Sequence, residues 1–268
     1  MQFELNNGRK IPMLGLGVYD MYGREAERAI LDAIEIGYRL IDTASLYENE
    51  SEVGNAWKYS GIKRESISIT TKVSNVEQGY DRTLKAFDES LKKLKTDYVD
   101  LYLMHWPLKQ TRKDTWRAME NIYKEGRAKS IGVANFLIPF LIELYEYAEI
   151  IPAVNQVEFS PYLYLKDLLE YCNHNNIRLQ AYTPLLRGLK LKDSKLVSIA
   201  GNYKKTTAQV KLRWCIQHGV CPIPKSVNPD RLKENFEVFD FQITEEDMQR
   251  LDSFDEGFRV VDDPISML

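Results

Sequence analysis

Residues 40–50 read LIDTASLYENE: a short apolar run ends in Asp42, and Tyr47 follows five positions later. One polar residue at the end of a strand is not informative by itself, because chains commonly become polar where they leave the core. The arrangement recurs here, however, because short β-rich apolar runs alternate with amphipathic helical segments along the chain. Such alternation predicts a parallel sheet, since parallel strands are joined by crossover connections that are usually helical.

The apolar runs predict eight strands, at residues 13–18, 39–42, 67–72, 99–105, 128–133, 153–157, 177–182 and 220–224. Predicted helices between them, such as residues 25–36 and 115–125, carry apolar residues three and four positions apart. Gly37 and Gly126 follow these two helices and suit left-handed helix caps. Because no Pro-, Gly- or Ser-rich linker interrupts the pattern, residues 1–268 are predicted to form one α/β domain, a (β/α)8 TIM barrel.

An open, doubly wound sheet is the structural alternative. Its dinucleotide fingerprint requires GxGxxG between a strand and a helix, and residues 15–20 read GLGVYD, which lacks the third glycine. The segment before it, QFELNNGRKIPM at residues 2–13, instead predicts a β-hairpin that turns at Asn7-Gly8. We expect this N-terminal hairpin to close the bottom of the barrel.

Composition excludes several classes of partner. The chain of 268 residues is 44% apolar and 28% charged, and its net charge of −3 includes no basic or acidic tract, which argues against nucleic acid and membrane surfaces. Its three cysteines have no CxxC spacing, so they are predicted to be reduced thiols. Neither a signal segment nor an apolar stretch of about 18 residues occurs, which predicts a cytoplasmic protein. His174 and His218 have no partners at metal-ligand spacing, so no metal site is predicted.

Ionisable residues stand where a barrel gathers its functional groups. In this fold those groups lie at the carboxyl ends of several different strands. The second, third and fourth predicted strands end in Asp42, Lys72 and His105, and Gln156 and Tyr182 lie near the ends of the sixth and seventh. Unpaired polar groups are costly where water is excluded. We therefore expect these side chains to form one site.

A proton-transfer chemistry follows from this set together with Tyr47. A free tyrosine has a pKa of roughly 10, so it needs a cationic neighbour that stabilises the phenolate if it is to act as an acid. Lys72 is predicted to be that neighbour, and Asp42 would keep the ammonium charged and in place. His105 could then donate a hydrogen bond to a substrate oxygen. The set suits protonation of a carbonyl oxygen while hydride reaches the carbon.

The whole chain resembles the aldo-keto reductase family. The motifs that carry the resemblance are, in order, GLGVYD, IDTASLYENESEVG, ITTKVSN, DYVDLYLMHWP, GRAKSIGVANF, NQVEFSPY, QAYTPL and IPKSVNPDRLKEN. The short connection after the fourth strand and the short tail are most similar to the small bacterial 2,5-diketo-gluconate and glyoxal reductase type. The resemblance implies a catalytic tetrad of Asp42, Tyr47, Lys72 and His105 with Tyr47 as the acid.

The segment after the last predicted strand indicates a phosphate site. Asn228 suits an N-cap, Pro229 the first helical position, and Lys225 and Arg231 add two cations beside that helix N-terminus. The family resemblance implies that the ligand is the 2′-phosphate of NADPH. It also implies further contacts to the adenine (Glu234, Asn235), the nicotinamide ring (Tyr182), its carboxamide (Asn135, Gln156) and the rest of the cofactor (Thr183, Leu185, Ser226, Val227).

Two departures from the family pattern fall within the expected site. Ala134 replaces the serine that usually precedes Asn135, which removes a hydroxyl from the carboxamide site. Ser74 occupies the position where many relatives have a pocket tryptophan, so the pocket is predicted to be wider there. Tyr19, Ser74 and Trp106 are the predicted substrate contacts.

The predicted function is NADPH-dependent reduction of small aldehydes, ketones, dicarbonyls or keto-sugars by a monomer. One alternative is an NADPH-binding regulatory or structural protein of the same fold, with little turnover. A second is an alcohol dehydrogenase that works mainly in the oxidative direction. A third is the double-bond reductase branch of the family, which has glutamate in place of the catalytic histidine; His105 argues against it.

Overall fold

The computed structural model describes residues 1–267 and begins with a two-stranded antiparallel hairpin, β1 (Gln2–Glu4) and β2 (Lys10–Pro12). The turn contains Gly8, whose positive φ of 77° favours glycine. Asn6 donates a hydrogen bond to the carbonyl of Pro152, and Asn7 donates one to that of Lys129. Each carbonyl lies two residues before a barrel strand, Ile131–Ala134 or Val154–Glu158, so the hairpin lies at the bottom of the barrel, as predicted.

Eight parallel strands follow in chain order around a single sheet. They are β3 (Leu16–Gly17), β4 (Leu40–Asp42), β5 (Ser68–Val73), β6 (Leu101–Met104), β7 (Ile131–Ala134), β8 (Val154–Glu158), β9 (Arg178–Tyr182) and β10 (Cys221–Pro222). Two backbone hydrogen bonds join the first strand to the last: Gly15 to Pro222 at 3.0 Å and Gly17 to Pro224 at 3.1 Å. The sheet is therefore closed, and the predicted (β/α)8 barrel with its eight strands is confirmed.

Helices cover the outside of the barrel. They are α1 (Gly23–Ile36), α2 (Glu50–Tyr59), α3 (Tyr80–Leu94), α4 (Arg112–Lys124), α5 (Ile138–Tyr145), α6 (Lys166–His174), α7 (Ser194–Asn202), α8 (Thr207–Gln217), α9 (Pro229–Phe236) and α10 (Glu245–Asp252). Gly37 and Gly126 follow α1 and α4 with φ of 127° and 73°, so both predicted glycine positions are confirmed. Helix α4 begins three residues earlier than predicted.

The apolar side chains form two layers. Inside the barrel, Leu5 and Ile11 of the hairpin pack with inward-facing strand residues such as Leu40, Leu103 and Ile223. The larger layer lies between the sheet and the helices. Both layers consist of apolar side chains, so a polar group that points into the barrel needs a hydrogen-bond partner. Within residues 1–267, every helix is too short or too polar to cross a membrane.

Candidate active site

A buried ion pair lies at the carboxyl end of the barrel. Asp42 is the last residue of β4 and Lys72 is on the neighbouring β5, and their exposed fractions are 2% and 0%. Lys72 Nζ lies 2.6 Å from Asp42 Oδ1 and also donates to the carbonyl of Thr43 at 2.9 Å. Burial by itself lowers the pKa of Lys72, but Asp42 and Tyr47 together hold it above its usual value. The lysine is therefore an ammonium.

Tyr47 reaches this pair from a single turn of 3-10 helix, Ser45–Tyr47, which follows β4. Lys72 Nζ donates to the Tyr47 hydroxyl oxygen at 3.3 Å. Burial raises the pKa of Tyr47 and Lys72 lowers it by less, so the net pKa lies above the usual value. The sequence led us to expect the lysine to dominate, and in this structure burial outweighs it. The phenol thus keeps its proton at neutral pH.

His105 follows β6 and faces Tyr47 edge to face, with ring centroids 5.7 Å apart. Its exposed fraction is 8%, and its Nδ1 has no hydrogen-bond partner among residues 1–267. Burial and, to a smaller extent, the Lys72 charge lower the pKa of His105 to about 3. The imidazole is therefore neutral at physiological pH and carries a single N–H.

Three residues predicted to contact the nicotinamide are joined to this cluster by hydrogen bonds. Asn135, at a positive φ of 64°, donates to the carbonyl of His105 at 2.9 Å and accepts from the Tyr182 hydroxyl at 2.7 Å. Gln156 Nε2 donates to Asp42 Oδ2 at 2.7 Å. These hydrogen bonds orient the side-chain amides of Asn135 and Gln156. The Gln156 Oε1 atom can still accept a hydrogen bond from a ligand.

The start of helix α9 has the form that the sequence predicted. Asn228 caps it by accepting from the Arg231 amide at 3.0 Å, Pro229 is its first residue, and Lys225 and Arg231 are exposed. A capped N-terminus flanked by two exposed cations fits a phosphate group. The Ser226 hydroxyl oxygen accepts a hydrogen bond from the backbone amide of Asn228 at 3.2 Å, within the same turn.

The remaining predicted cofactor residues differ in what they offer a ligand. Glu234 is half-buried and accepts from the Thr206 hydroxyl at 2.9 Å, and Asn235 is buried. The other three are half-buried in the segments that follow β9 and β10: Thr183, Leu185 and Val227. Their contacts with the cofactor stay predictions.

The three predicted substrate contacts, Tyr19, Ser74 and Trp106, differ in their surroundings. Tyr19, which is 51% exposed, packs against Tyr47 with ring centroids 5.1 Å apart. Trp106 is half-buried beside His105, and its carbonyl accepts from Gln78 Nε2 at 2.7 Å. Ser74, by contrast, is 3% exposed, and its hydroxyl donates to Glu77 at 2.6 Å in a capping box. Its hydroxyl is therefore occupied by the local loop.

Two buried glutamines near the site were not singled out from the sequence. Gln180 lies on β9 and accepts from Gln156 at 2.7 Å, and Gln78 holds the loop that carries Trp106. For Gln180 a signal existed: it precedes Tyr182 by two residues, so the alternation of a strand turns both side chains the same way. For Gln78 no local pattern reveals the contact. Within residues 1–267, no cluster of His, Cys, Asp and Glu side chains is suited to a metal ion.

The fold and site together define a class: a closed (β/α)8 barrel with a buried Lys–Asp pair, a tyrosine and a neutral histidine at the carboxyl end of its strands. Residues 14–256 match the Aldo/keto reductase family. The chain belongs to this family, and it is an oxidoreductase that acts on carbonyl compounds.

Similar proteins cover nearly the full length of the chain. A glyoxal reductase of Bacillus subtilis (strain 168) is 48% identical over 99% of this chain and 96% of its own length. A 9,11-endoperoxide prostaglandin H2 reductase of Trypanosoma cruzi is 46% identical over 97% and 93%. Among solved structures, an aldo-keto reductase enzyme from a Medee basin deep-sea metagenome library has a TM-score of 0.95 and 45% identity, covering 97% of each chain. The Bombyx mori aldo-keto reductase in complex with NADP has a TM-score of 0.92 and 34% identity, covering 98% and 95%.

Proposed function

We propose that this chain is an NADPH-dependent reductase that converts small aldehydes, ketones or dicarbonyls to alcohols, with Tyr47 as the proton donor. The observation that carries the proposal is the buried Lys72 ammonium, which lies 2.6 Å from Asp42 and 3.3 Å from the Tyr47 hydroxyl. A cation so placed favours the transition state in which the tyrosine loses its proton.

Each member of the tetrad has a distinct task. Tyr47 gives its proton to the carbonyl oxygen of the substrate, and the negative charge left on the phenolate is stabilised by Lys72, in a site where low polarity strengthens that attraction. Asp42 keeps the ammonium charged and fixed. The neutral His105 donates its N–H to the same substrate oxygen and so orients the carbonyl toward Tyr47.

The cofactor of this reaction is NADPH, which supplies the hydride when bound. Lys225 and Arg231 at the start of α9 would hold its 2′-phosphate, because both are exposed beside a capped helix N-terminus. The Tyr182 ring would stack on the nicotinamide. The free Gln156 Oε1 and the Asn135 amide would hold the carboxamide, and the hydrogen bonds described above already orient both groups.

Small carbonyl compounds are the proposed substrate class. The nearly full-length similarity to a protein named glyoxal reductase supports dicarbonyls in particular. Tyr19, which packs against Tyr47, and Trp106 would supply aromatic walls for the substrate, and Ser74 would add less bulk than a tryptophan at that position. Keto-sugars are therefore included in the test panel.

The test is oxidation of NADPH by the purified wild type and by Tyr47→Phe, against glyoxal, methylglyoxal, aliphatic and aromatic aldehydes and keto-sugars. Loss of the acid should lower turnover by roughly a hundredfold or more, while NADPH affinity, measured by fluorescence titration, stays unchanged. Full turnover by Tyr47→Phe would contradict the role of Tyr47. Tight NADPH binding by the wild type without turnover would favour a binding protein, and turnover only with NADP+ and alcohols would favour an oxidative enzyme.

A further inference from the structure

We propose that Gln180 is a positioning residue of this site: it fixes the direction of the Gln156 amide and, through it, both the Asp42 carboxylate and the carboxamide end of the cofactor site. The inference rests on the proposed function for its link to catalysis. Its structural basis is a chain of buried hydrogen bonds that runs through the interior of the barrel.

The chain begins at Asp42 and passes inward through two glutamines. Gln156 Nε2 donates to Asp42 Oδ2 at 2.7 Å and to Gln180 Oε1 at 2.7 Å. The exposed fractions of Gln156 and Gln180 are 2% and 1%. A primary amide nitrogen has two N–H groups, so these two bonds use both of them.

The direction of the Gln156 amide follows from its two neighbours. Both Asp42 Oδ2 and Gln180 Oε1 present acceptors, so an inverted Gln156 would bring its own oxygen against them. Without Gln180, one N–H of Gln156 would be buried without a partner, and nothing on that side would hold the amide. A buried donor without an acceptor is costly, which makes the acceptor at position 180 the group that completes the arrangement.

The direction of Gln180 is set in turn from the floor of the barrel. Gln180 Nε2 donates to Cys221 Sγ at 3.6 Å, and that thiol donates to the carbonyl of Pro12 at 3.2 Å. Because the Cys221 hydrogen is used on Pro12, its sulfur faces Gln180 as an acceptor. The side chains are thus ordered from the N-terminal hairpin up to the ion pair.

Two consequences reach the site. Both Asp42 oxygens are held, one by Lys72 and one by Gln156, which fixes the carboxylate under the ammonium. The Gln156 Oε1 atom remains as an acceptor for the amino group of the cofactor carboxamide. The titratable groups that act on or respond to Asp42 are Lys72, Tyr47 and Cys221.

The test compares the wild type with Gln180→Met, which keeps the length of the side chain but removes the acceptor. NADPH affinity is measured by fluorescence titration, and kcat is measured as a function of pH. We expect Gln180→Met to bind NADPH roughly five- to tenfold more weakly, the equivalent of one lost buried hydrogen bond. The acid limb of the kcat–pH profile of Gln180→Met should move to higher pH, because Asp42 loses the hydrogen bond from Gln156 that lowers the Asp42 pKa.

Controls separate positioning from general loss of packing. Gln217→Met removes a glutamine that bonds to the backbone of Ile243 on the outside of the barrel, and it should leave NADPH affinity and the pH profile unchanged. Cys221→Ala removes the acceptor for Gln180 and should weaken NADPH binding in the same direction as Gln180→Met; it carries the test if Gln180→Met does not fold.

A folded Gln180→Met that matches the wild type in affinity and pH profile would overturn the inference. If Gln180→Met does not fold, unchanged NADPH affinity in Cys221→Ala would overturn the inference instead. Affinity is measured apart from turnover. A wild type that binds NADPH without turnover would therefore refute the proposed reductase while leaving this comparison intact.

Discussion

At the scale of single residues, the ion pair between Lys72 and Asp42 performs two tasks that a pair of substitutions can separate. Both side chains are buried, so each neutralises a charge that would be costly alone. The same ammonium is the group that stabilises the Tyr47 phenolate in the proposed reaction. We therefore expect stability and turnover to depend on the pair in different ways.

Lys72→Met should lower kcat by roughly 10² to 10⁴ and destabilise the fold by about 3–5 kcal/mol, because Asp42 is left as an uncompensated buried charge. The double variant Asp42→Asn/Lys72→Met leaves no buried charge, so much of the stability should return while turnover stays low. Urea unfolding and NADPH oxidation measure the two effects. Recovery of turnover in the double variant would show that the ammonium is not required.

The two cations at the start of α9, Lys225 and Arg231, are expected to set the preference for NADPH over NADH. Lys225→Gln/Arg231→Gln should weaken NADPH binding by roughly tenfold or more, as expected for lost charge-assisted hydrogen bonds to a phosphate. Binding of NADH, which lacks the 2′-phosphate, should change little. Titration of both cofactors gives the ratio of their affinities, and an unchanged ratio would place the phosphate elsewhere. Lys233→Gln, an exposed cation in the last turn of the same helix, is the matched control.

At the scale of elements, helix α8 has a lysine on its buried face. Lys211 is 0% exposed, its Nζ has no hydrogen-bond partner among residues 1–267, and it lies 5.4 Å from the centroid of the Tyr162 ring. Burial lowers the pKa of Lys211 to about 8, and Cys215 opposes this only weakly. The helix is therefore held in place despite this residue, by the apolar side chains around it.

Replacing this lysine should stabilise the protein in a pH-dependent way. The lowered pKa means that the unfolded chain binds more protons than the folded one between about pH 8 and 10.5, so wild-type stability rises with pH across that window. Lys211→Met should stabilise the fold by up to about 3 kcal/mol below pH 8, and the gain should shrink toward pH 10.5. Denaturant unfolding from pH 7 to 10.5 measures it, with the exposed Lys195→Met as control. A constant difference across the range would contradict the explanation.

At the scale of the whole molecule, closure of the barrel depends on the close approach of β3 to the segment after β10. A Cβ atom at Gly17 would lie 2.8 Å from the carbonyl oxygen of Ile223, while the Gly17 amide donates to Pro224 at 3.1 Å. Backbone on both sides leaves little freedom to move. Glycine is therefore required for the first and last strands to meet.

Gly17→Ala should destabilise the protein by about 1–3 kcal/mol, the usual cost of a forced contact in a packed interior. Gly201→Ala is the matched control, since Gly201 is exposed in helix α7 with nothing within 4 Å of the added atom. It should be neutral or stabilising by up to about 1 kcal/mol. Thermal unfolding compares the two variants. Equal melting temperatures would mean that the closing contact carries no strain.

Local sequence patterns were enough to predict the architecture and the ionisable side chains that meet at the carboxyl end of the barrel. Strand alternation, helical periodicity and glycine caps are local patterns, so the eight strands, the Asn7-Gly8 hairpin and the caps at Gly37 and Gly126 are present as predicted. Parallel topology then brings all strand ends to one side of the barrel. Asp42, Lys72 and His105 had to lie close together once the fold was known.

The electrostatics and the hydrogen-bond partners within that site depend on contacts between distant segments of the chain. The net pKa of Tyr47 depends on how burial compares with the pull of Lys72, and both quantities arise from segments far apart in the chain. The hydrogen bond from Gln156 to Gln180 and the burial of Lys211 also arise from segments that are far apart in the chain. Periodicity reports which face of an element is buried, but hydrogen-bond partners and desolvation depend on what the rest of the chain places against that face.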